Sequence, residues 1–372
     1  MTPPLTPLLS SRIQKSGPLP FDRFMGEALY HPTSGFYASG KTRTGKEGDF
    51  LTPVSPGPVL GQLLARQADE LHHALGRPPG LNLIEQGADA GWLARDLLGA
   101  VQQNHPKLNQ AVRLHLIEPH PKLAETQRKT LAAFAGSYPI QWHRSLQEFS
   151  DPSIPCLFYS SELVDSFPIR IFSCRSGTWR EKVVGWKDSR FVWQEQATDP
   201  ATQTTISQLS PPAVEGFTFE IRPGVAPWIR TLAAKISQGL IFTLDYGFVV
   251  EELFSPARAG GTLVSLRNHQ RTADPLADPG EQDLTAHVNF TELEELGSQE
   301  GLKSYGLTDF ARGLTSLATP LLTGKEPPAE TWIRNFRHLT HPSFFGHSHK
   351  ILIQGKSLPE SFQPLQCAGL GV

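Results

Sequence analysis

Acidic residues and glycines follow several strand-like segments of this sequence, at the positions where an α/β protein binds its ligand. The segment IEQGADAG (84–91) comes after the apolar stretch LNL and runs into the helix-like WLARDLLGA. A strand, a glycine turn and a helix in this order present backbone N–H groups at the positively polarised end of the helix. The middle position of such a turn is normally glycine, which lets a ligand approach the backbone, but here it is Asp89. The segment therefore predicts a nucleotide-handling corner in which the role of Asp89 is the open question.

Further acids come at the ends of the next predicted strands. Glu118 follows the strand-like LHLI, and an acid there can accept hydrogen bonds from both hydroxyls of a ribose. Glu162 and Asp165 follow the apolar run CLFYSS. Because open α/β sheets bind ligands beyond the carboxyl ends of their strands, these acids together predict a site for a nucleoside-bearing cofactor. Each alone also fits a structural role, Glu118 as a solvated strand end and Asp165 as a cap before Phe167-Pro168.

Two later segments also carry groups that could do chemistry. In DLTAHVNF, Asp283, Thr285 and His287 stand at alternate positions, so on an extended segment they would point the same way and could line an acceptor site. Equally, Asp283 and Thr285 could begin a turn or helix, with His287 satisfying a nearby backbone group. A group of late histidines lies in a Pro/Gly-rich loop without a Cys or carboxylate to complete a ligand set, so no metal site is predicted. These histidines are His338, His341, His347 and His349.

Motifs and composition narrow the classes of function. The sequence has no GxxxxGK[ST] run and no GxSxG elbow, which argues against a P-loop protein and an α/β hydrolase. A formal net charge of −2 without a long Lys/Arg block gives no support for binding nucleic acid. Three scattered cysteines, no targeting pattern and no run of 18 apolar residues predict a cytoplasmic protein without a membrane segment. An adenosine cofactor without a demanding polyphosphate fits these constraints.

Strands alternate with helices from about residue 80, which predicts a doubly wound parallel sheet covered on both faces. The alternation stops at IRIFSCRSGTWREKVVGW, whose period-2 pattern and turn residues predict an inserted antiparallel meander. It resumes at VAPWIRTLAAKIS, and HKILIQGK predicts a late antiparallel strand that completes the sheet. The predicted division is an N-terminal helical and loop region near the cofactor (1–79), a Rossmann-like core (80–168 and 226–356), a β-rich substrate-side insertion (169–225) and a C-terminal tail (357–372).

Motifs spread over most of the chain resemble the MidA-like S-adenosylmethionine-dependent methyltransferases, a family with a mitochondrial arginine methyltransferase among its members. The matching segments are FMGEALYHPTSGFY (24–37), GKEGDFLTPVSPGPVLGQLLA (45–65), EQGADAG (85–91), LIEPHPKLAETQ (116–127), SSELVDSFP (160–168), TLDYG (243–247) and PGEQDLTAHVNF (279–290). The resemblance implies a class I methyltransferase fold and S-adenosyl-L-methionine as cofactor. It also implies that the loop with Gly48, Asp49 and Phe50 folds over the cofactor.

Two departures from the family pattern fall at the predicted cofactor site. The family corner is close to E-x-G-P-G-x-G, and this chain keeps Gly87 and Gly91 but has Asp89 at the middle glycine. Asp89 would repel the carboxylate of the cofactor's methionine end, could hold its ammonium group, or could cap the helix at Trp92. The family's N-E-x-x-D becomes Ser161-Glu162-Leu163-Val164-Asp165, in which both acids are kept. The predicted cofactor-binding residues are Gly48, Asp49, Phe50, Glu85, Gly87, Asp89, Gly91, Glu118 and Ser161.

The predicted chemistry is methyl transfer from a sulfonium to a protein side chain, with arginine as the candidate acceptor. A guanidinium must be fixed in plane and must lose a proton around the time of attack, and carboxylates suit both tasks. Glu162, Asp165 and His287 are the predicted catalytic residues. The alternatives are a non-catalytic relative that serves as a binding or assembly factor after decay of the cofactor loop, and an enzyme that methylates a small molecule. The sequence sets neither the acceptor nor the oligomeric state.

Overall fold

The computed structural model describes residues 4–39, 52–267 and 270–366 of the 372-residue chain. The chain divides into two compact units. Unit 1 comprises residues 1–41, 164–227 and 248–289, and unit 2 comprises residues 42–163, 228–247 and 290–372. Each unit is therefore assembled from segments that are separated in the sequence.

The α-helices of the described residues are α1 (Leu5–Ser16), α2 (Phe21–Tyr30), α3 (Val59–Ala74), α4 (Trp92–Asn104), α5 (Pro106–Asn109), α6 (Pro121–Thr130), α7 (Pro200–Leu209), α8 (Val225–Lys235), α9 (Val250–Leu253), α10 (Phe290–Gln299), α11 (Phe310–Leu322) and α12 (Glu330–Thr340). The strands are β1 (Leu19–Pro20), β2 (Leu81–Gln86), β3 (Val112–Ile117), β4 (Ile140–His143), β5 (Cys156–Ser161), β6 (Arg170–Arg175), β7 (Thr178–Lys187), β8 (Arg190–Ala197), β9 (Thr218–Ile221), β10 (Gly239–Phe248), β11 (Val264–Arg267), β12 (Gln270–Arg271), β13 (Asp283–Thr285), β14 (Val288–Asn289), β15 (Lys303–Asp309) and β16 (His349–Lys356).

Strands of unit 2 form a sheet in the order β15-β16-β10-β5-β2-β3-β4. The run from β10 to β4 is parallel, and β16 pairs antiparallel with both β10 and β15. This confirms the predicted doubly wound sheet with a late antiparallel strand. The chain moves outward from β2 to β3 and β4 and then returns to place β5 on the other side of β2. The winding direction therefore reverses between β2 and β5.

Apolar side chains along the central strands explain why the sheet is buried. Burial is continuous over the first five residues of β2 and of β5, as expected for parallel strands covered on both faces. In α4 the buried side chains recur at helical spacing, and these are Leu93, Ala94, Leu97, Leu98, Ala100 and Val101. The same helix contributes to a core with α3 and the central strands. The helix predicted over WLARDLLGA is confirmed, and it extends to Asn104.

Unit 1 is built around an antiparallel sheet in the order β1-β7-β6-β9, with β8 pairing to β7. The β7–β8 hairpin turns through Asp188 and Ser189, whose φ angles are +49° and +59°. Positive φ at both central residues matches the right-handed twist of the flanking strands. The inserted antiparallel meander is therefore confirmed. A second small sheet of this unit has the order β12-β11-β13.

The two units differ from the predicted division. The predicted N-terminal region is split, since residues 1–41 belong to unit 1 and α3 belongs to unit 2. Residues 164–168 and 248–289, predicted in the core, also belong to unit 1. Hydrogen bonds explain why residues 248–289 join unit 1, because the N–H of Ala286 donates to the carbonyl oxygen of Asp165 at 3.1 Å. The Arg222 side chain also donates to the carbonyl oxygens of Ala286 and His287. No helix in the described ranges has the length and apolar character needed to cross a bilayer.

Alanine substitutions at two helical glycines of unit 2 should change the free energy of unfolding in opposite directions. A Cβ at Gly61 in α3 would lie 2.7 Å from both the backbone N of Leu97 and the Cβ of Asp96, so Gly61→Ala should destabilise the fold by about 1–3 kcal/mol. A Cβ at Gly99 in α4 would meet only the Phe134 ring, at 3.9 Å. Gly99→Ala should therefore stabilise the fold by about 0.5–1 kcal/mol, through its higher helix propensity. Denaturant unfolding of both variants and wild type measures this, and equal shifts would contradict the described α3–α4 packing.

Candidate functional site

The carboxyl ends of the parallel strands of unit 2 form one edge of the sheet. At this edge β2 runs into the corner 87–91, β3 runs into Glu118, and β5 ends at Ser161 just before Glu162. Since the winding direction reverses between β2 and β5, this is the edge at which an open α/β sheet binds its ligand. The sequence-predicted residues that lie along this edge of unit 2 are Glu85, Gly87, Asp89, Gly91, Glu118, Ser161 and Glu162.

The corner between β2 and α4 has a left-handed backbone at three positions. The φ angle is +80° at Gly87, +42° at Asp89 and +81° at Gly91. Glycine adopts this region freely, and aspartate is among the few other residues that tolerate it. Gly91 is the N-cap of α4, and its N–H donates to the carbonyl oxygen of Ala88 at 2.7 Å. Asp89 thus adopts a backbone conformation that is usual for glycine, and the hydrogen bond from Gly91 to Ala88 closes the turn.

Glu85 lies in the interior next to the corner, with 2% of its surface exposed. The Tyr159 hydroxyl donates to its Oε2 at 3.2 Å, and the backbone N–H of Ala94 also hydrogen-bonds to its carboxyl group. Ala94 is in the first turn of α4, where backbone N–H groups have no partner within the helix. Burial raises the pKa of Glu85 to about 8. These contacts make Glu85 a support for the start of α4.

Glu118 lies at the end of β3 with 6% of its surface exposed. Its Oε1 accepts the backbone N–H of His120 at 2.8 Å, and its Oε2 accepts the side-chain amide of Gln127 at 3.0 Å. Burial raises its pKa to about 7; hydrogen bonds from His120 and Gln127 lower it, and the nearby Asp89 carboxylate raises it. A carboxylate oxygen accepts more than one hydrogen bond, so both oxygens keep capacity for a further donor.

Glu162 forms a close pair with a histidine from the far end of the sequence. The Nε2 of His349 is 2.8 Å from Oε1 of Glu162, and the side chains are 7% and 15% exposed. The backbone of Glu162 is left-handed, with φ +50°, and its N–H donates to the carbonyl oxygen of Leu244 at 2.9 Å. The Nδ1 of His349 is 3.0 Å from the Ser348 hydroxyl. A carboxylate and an imidazole therefore stand together at the ligand-binding edge.

Sequence reasoning missed His349 because it grouped this residue with the loop histidines. His349 is instead the first residue of β16, and it pairs with Tyr246 of β10. Because β16 is antiparallel to β10, its first residue lies at the edge where the parallel strands end. The antiparallel pattern of HKILIQGK was the signal that could have placed it there.

Asp245, in the segment TLDYG, is a further buried acid of unit 2. It is fully buried in β10, where its Oδ2 accepts the N–H of Leu163 at 3.2 Å and its Oδ1 accepts the N–H of Tyr246 at 2.9 Å. The carboxylate therefore fixes the start of the loop after β5. That loop also explains Gly87, since a Cβ there would lie 3.1 Å from the Leu163 side chain.

Asp165 and Asp283 lie in unit 1, where both are buried. Asp283 is in β13, and its Oδ1 accepts the Tyr37 hydroxyl at 2.9 Å. Tyr37 stacks on Tyr30 with ring centroids 5.6 Å apart, and the Tyr30 hydroxyl is 2.8 Å from Oγ of Ser166. Burial, with the carboxylate of Asp283 next in importance, raises the pKa of Tyr37 well above its usual range. The phenol therefore stays protonated and donates to Asp283.

His287, the third predicted catalytic residue, is also in unit 1. It follows the extended strand that contains Asp283 and Thr285, so the extended form predicted for the start of this segment is confirmed. Its N–H donates to Oγ1 of Thr262 at 3.0 Å, and its ring contacts Phe248 with centroids 5.0 Å apart. Burial lowers the pKa of His287 to about 4. The imidazole is therefore neutral at physiological pH and is a weak proton acceptor.

Three predicted residues cannot be placed, and the late histidines do not converge. Gly48, Asp49 and Phe50 lie outside the described residues. Over the described part of the chain, no group of three or more His, Cys, Asp or Glu side chains is placed to hold a metal ion. His347 instead has its Nδ1 3.5 Å from Oδ2 of Asp309.

The edge residues of unit 2 fit the ribose and the amino-acid end of S-adenosyl-L-methionine. Glu118 offers two oxygens that can each accept a hydroxyl, as the diol of a ribose requires. The glycine corner leads into the N-terminus of α4, whose polarised N–H groups suit a carboxylate. Asp89 in the same corner is the group that suits an ammonium.

Comparisons with known proteins agree on an S-adenosyl-L-methionine-dependent methyltransferase. Residues 63–308 match the family model described as "Putative S-adenosyl-L-methionine-dependent methyltransferase". A Danio rerio relative is 26% identical over 384 residues, covering 95% of this chain and 84% of the relative. A Homo sapiens relative is 28% identical over 322 residues, covering 79% of this chain and 69% of the relative. Both relatives are named protein arginine methyltransferase NDUFAF7, mitochondrial.

A solved structure extends the agreement to almost the whole chain. A Burkholderia thailandensis protein, crystallised with S-adenosyl-homocysteine, matches with a TM-score of 0.86 and 26% identity. The match covers 98% of this chain and 94% of that protein. Because the family match spans more than half of the sequence, this chain belongs to the MidA-like family of S-adenosyl-L-methionine-dependent methyltransferases.

Proposed function

We propose that this methyltransferase transfers its methyl group to the guanidinium of a protein arginine. The observation that carries the proposal is the Glu162–His349 pair at the ligand-binding edge of unit 2, with 2.8 Å between Oε1 and Nε2. The relatives named as protein arginine methyltransferases, at 26–28% identity, support the same acceptor. The proposal concerns only the acceptor, since the cofactor and the class of enzyme follow from the family.

Arginine is a demanding acceptor because its guanidinium is protonated at any ordinary pH. The methyl donor supplies an electrophilic carbon when it is bound. The acceptor nitrogen forms a new bond to that carbon, the carbon–sulfur bond breaks, and one proton must leave the guanidinium. The protein therefore needs a group that orients a flat cation and a group that takes up a proton. A carboxylate such as Glu162 provides the first through charge-assisted hydrogen bonds.

His349 provides the second group. Its Nε2 shares a hydrogen bond with Glu162, and its Nδ1 faces the Ser348 hydroxyl at 3.0 Å. The two ring nitrogens of an imidazole can take a proton on one side and release it on the other. Three aromatic rings hold the imidazole in place, with centroid distances of 5.0–5.5 Å, and they belong to Tyr246, Phe310 and Phe345. The pair can thus bind the cation, accept the released proton and return it to solvent.

Methyl transfer from labelled cofactor tests the acceptor directly. The protein is incubated with S-adenosylmethionine carrying a radioactive methyl group and with an extract of cells that lack this protein. Acid hydrolysis and amino-acid analysis of the extract protein should then show labelled methylarginine. Label in another amino acid would overturn arginine as acceptor, and label confined to small molecules would favour small-molecule methylation.

Glu162→Gln should reduce turnover by about a hundredfold or more while leaving the affinity for S-adenosylhomocysteine within about twofold. The substitution keeps the size of the side chain but removes the charge that would hold a guanidinium. His349→Gln should act in the same direction, because an amide can bond to Glu162 but cannot take up a proton. Single-turnover transfer and calorimetric titration measure the two quantities.

The matched control is Glu125→Gln, since Glu125 is an exposed acid of α6 that pairs with Lys129 at 2.9 Å. This variant should keep full turnover and full affinity. If Glu162→Gln lost turnover and affinity to the same extent, Glu162 would belong to the cofactor site. Full turnover in Glu162→Gln would remove it from the mechanism.

Asp89→Gly separates an active enzyme from a non-catalytic binding or assembly factor. If Asp89 holds the ammonium or stiffens the corner, its loss should leave the affinity for S-adenosylhomocysteine unchanged or weaken it. If Asp89 has closed the site, glycine should restore binding, because the repulsion of the ligand carboxylate disappears. Titration at about pH 8 keeps Glu118 ionised in both proteins, since its pKa is about 7. A large gain over absent wild-type binding would show that Asp89 closes the cofactor site.

A further inference from the structure

We propose that Gln127 is a positioning residue of the cofactor site, which holds the Glu118 carboxylate and the backbone of the glycine corner in fixed register. The inference rests on the proposed role of Glu118 in binding the ribose. Gln127 lies in α6, ten residues after β3 ends at Ile117, so it is not among the residues that directly follow a strand.

One amide group joins three separate elements of unit 2. The Nε2 of Gln127 donates to Oε2 of Glu118 at 3.0 Å and to the carbonyl oxygen of Asp89 at 2.9 Å. Its Oε1 accepts the indole N–H of Trp142, in β4, at 3.1 Å. The side chain therefore connects the end of β3, the corner after β2 and the strand β4.

The orientation of the amide is fixed by the partner on its oxygen side. The indole of Trp142 can only donate a hydrogen bond, so it must face the amide oxygen of Gln127. The amide nitrogen then faces the two acceptors, Glu118 and the Asp89 carbonyl. The guanidinium of Arg128 lies over the Trp142 ring, 4.6 Å from its centroid, and helps to hold the indole. A flipped amide would place oxygen against oxygen at Glu118.

The position of Gln127 on its helix shows that packing alone does not require it. The buried residues of α6 are Leu123, Ala124 and Gln127, so the amide stands on the apolar face and is fully buried. An apolar residue would fill such a position without the cost of burying an amide. Here both nitrogen hydrogens and the oxygen have partners, which removes that cost. The corner also accommodates the side chain, since a Cβ on Gly91 would lie 3.4 Å from Cγ of Gln127.

The amide also acts on the charge state of Glu118. Burial raises the pKa of Glu118 to about 7, and the hydrogen bonds from His120 N–H and from Gln127 oppose that shift. The charge of Asp89 raises the pKa of Glu118. His120 and His143 contact Glu118 through their backbones, and burial lowers the pKa of each of these histidines. Because a ribose diol donates to the ionised carboxylate, ligand affinity should rise with pH through about 7 and then level off.

Calorimetric titration with S-adenosylhomocysteine from about pH 5.5 to 8 tests the proposal with Gln127→Leu. Loss of the amide removes a donor to a charged group, so the affinity near pH 7 should fall by about tenfold or more. The midpoint of the pH profile should move upward, because the ionised form of Glu118 has lost support. A uniform loss at all pH values with an unchanged midpoint, or an affinity equal to wild type, would overturn the proposal.

A matched control is Gln67→Leu. Gln67 is a fully buried glutamine of α3 in the same unit, with its Nε2 3.3 Å from Glu70 and its Oε1 accepting the N–H of Leu365 at 2.8 Å. This variant should lower thermal stability but keep both the affinity and the midpoint. A shift of the midpoint here would show that the readout reports general loosening, and that result would count against a specific role for Gln127.

Two further variants keep the proposal testable. Trp142→Phe keeps an aromatic side chain at position 142 and the whole Gln127 side chain but removes the indole N–H that orients the amide, so the midpoint should move in the same direction by a smaller amount. This variant decides the question if Gln127→Leu does not fold.

Glu118→Ala tests the ribose contact separately from the positioning role of Gln127. Wild-type affinity in Glu118→Ala would show that the ribose contact is wrong, whereas lost affinity there with none lost in Gln127→Leu would overturn only the positioning role.

Discussion

The parallel pairing of β2 with both β3 and β5 is the constraint on which the site depends. Six residues of β2 pair with β3, and five pair with β5, so the carboxyl ends of three strands stop at the same edge. The chain continues from β2 to β3 on one side and from β5 to β10 on the other, so the winding direction reverses between β2 and β5. Polar side chains placed directly after these strands must therefore lie together. Their chemistry follows from the sheet order before any individual contact is considered.

Two residues at the same edge have a strained backbone. Asp89 and Glu162 both adopt a left-handed backbone, at φ +42° and +50°, which costs a residue other than glycine about 1–2 kcal/mol. Surrounding contacts maintain it: the Gln127 amide holds the Asp89 carbonyl, and His349 holds the Glu162 side chain. Strained backbone of this kind is found mainly where a protein must present groups to a ligand. In both the corner and the loop after β5, hydrogen bonds to distant elements therefore stabilise a left-handed backbone that these residues would not favour on their own.

Much of the fold could be predicted because it depends on local pattern. Helical spacing gave the limits of α4, continuous apolar runs gave β2 and β5, and period-2 alternation gave the meander of unit 1. Site residues could be predicted only where they directly follow a predictable strand, as Glu118 and Glu162 do. Contacts between distant segments were not accessible, since Glu162 and His349 are 187 residues apart. Gln127 was missed for another reason: a polar residue on the apolar face of α6 signals a buried network but does not name its partners.

The antiparallel placement of β16 has a consequence for the order of assembly. β15 pairs only with β16 among the described strands, and β16 also supplies His349. Without residues 349–356, the edge of β10 that pairs with β16 would be open and β15 would have no partner strand among those described. Such an edge can pair with other chains, and it is protected here only when the last strand of the sheet inserts. The closure of the sheet and the contact between His349 and Glu162 therefore depend on the same strand, His349–Lys356.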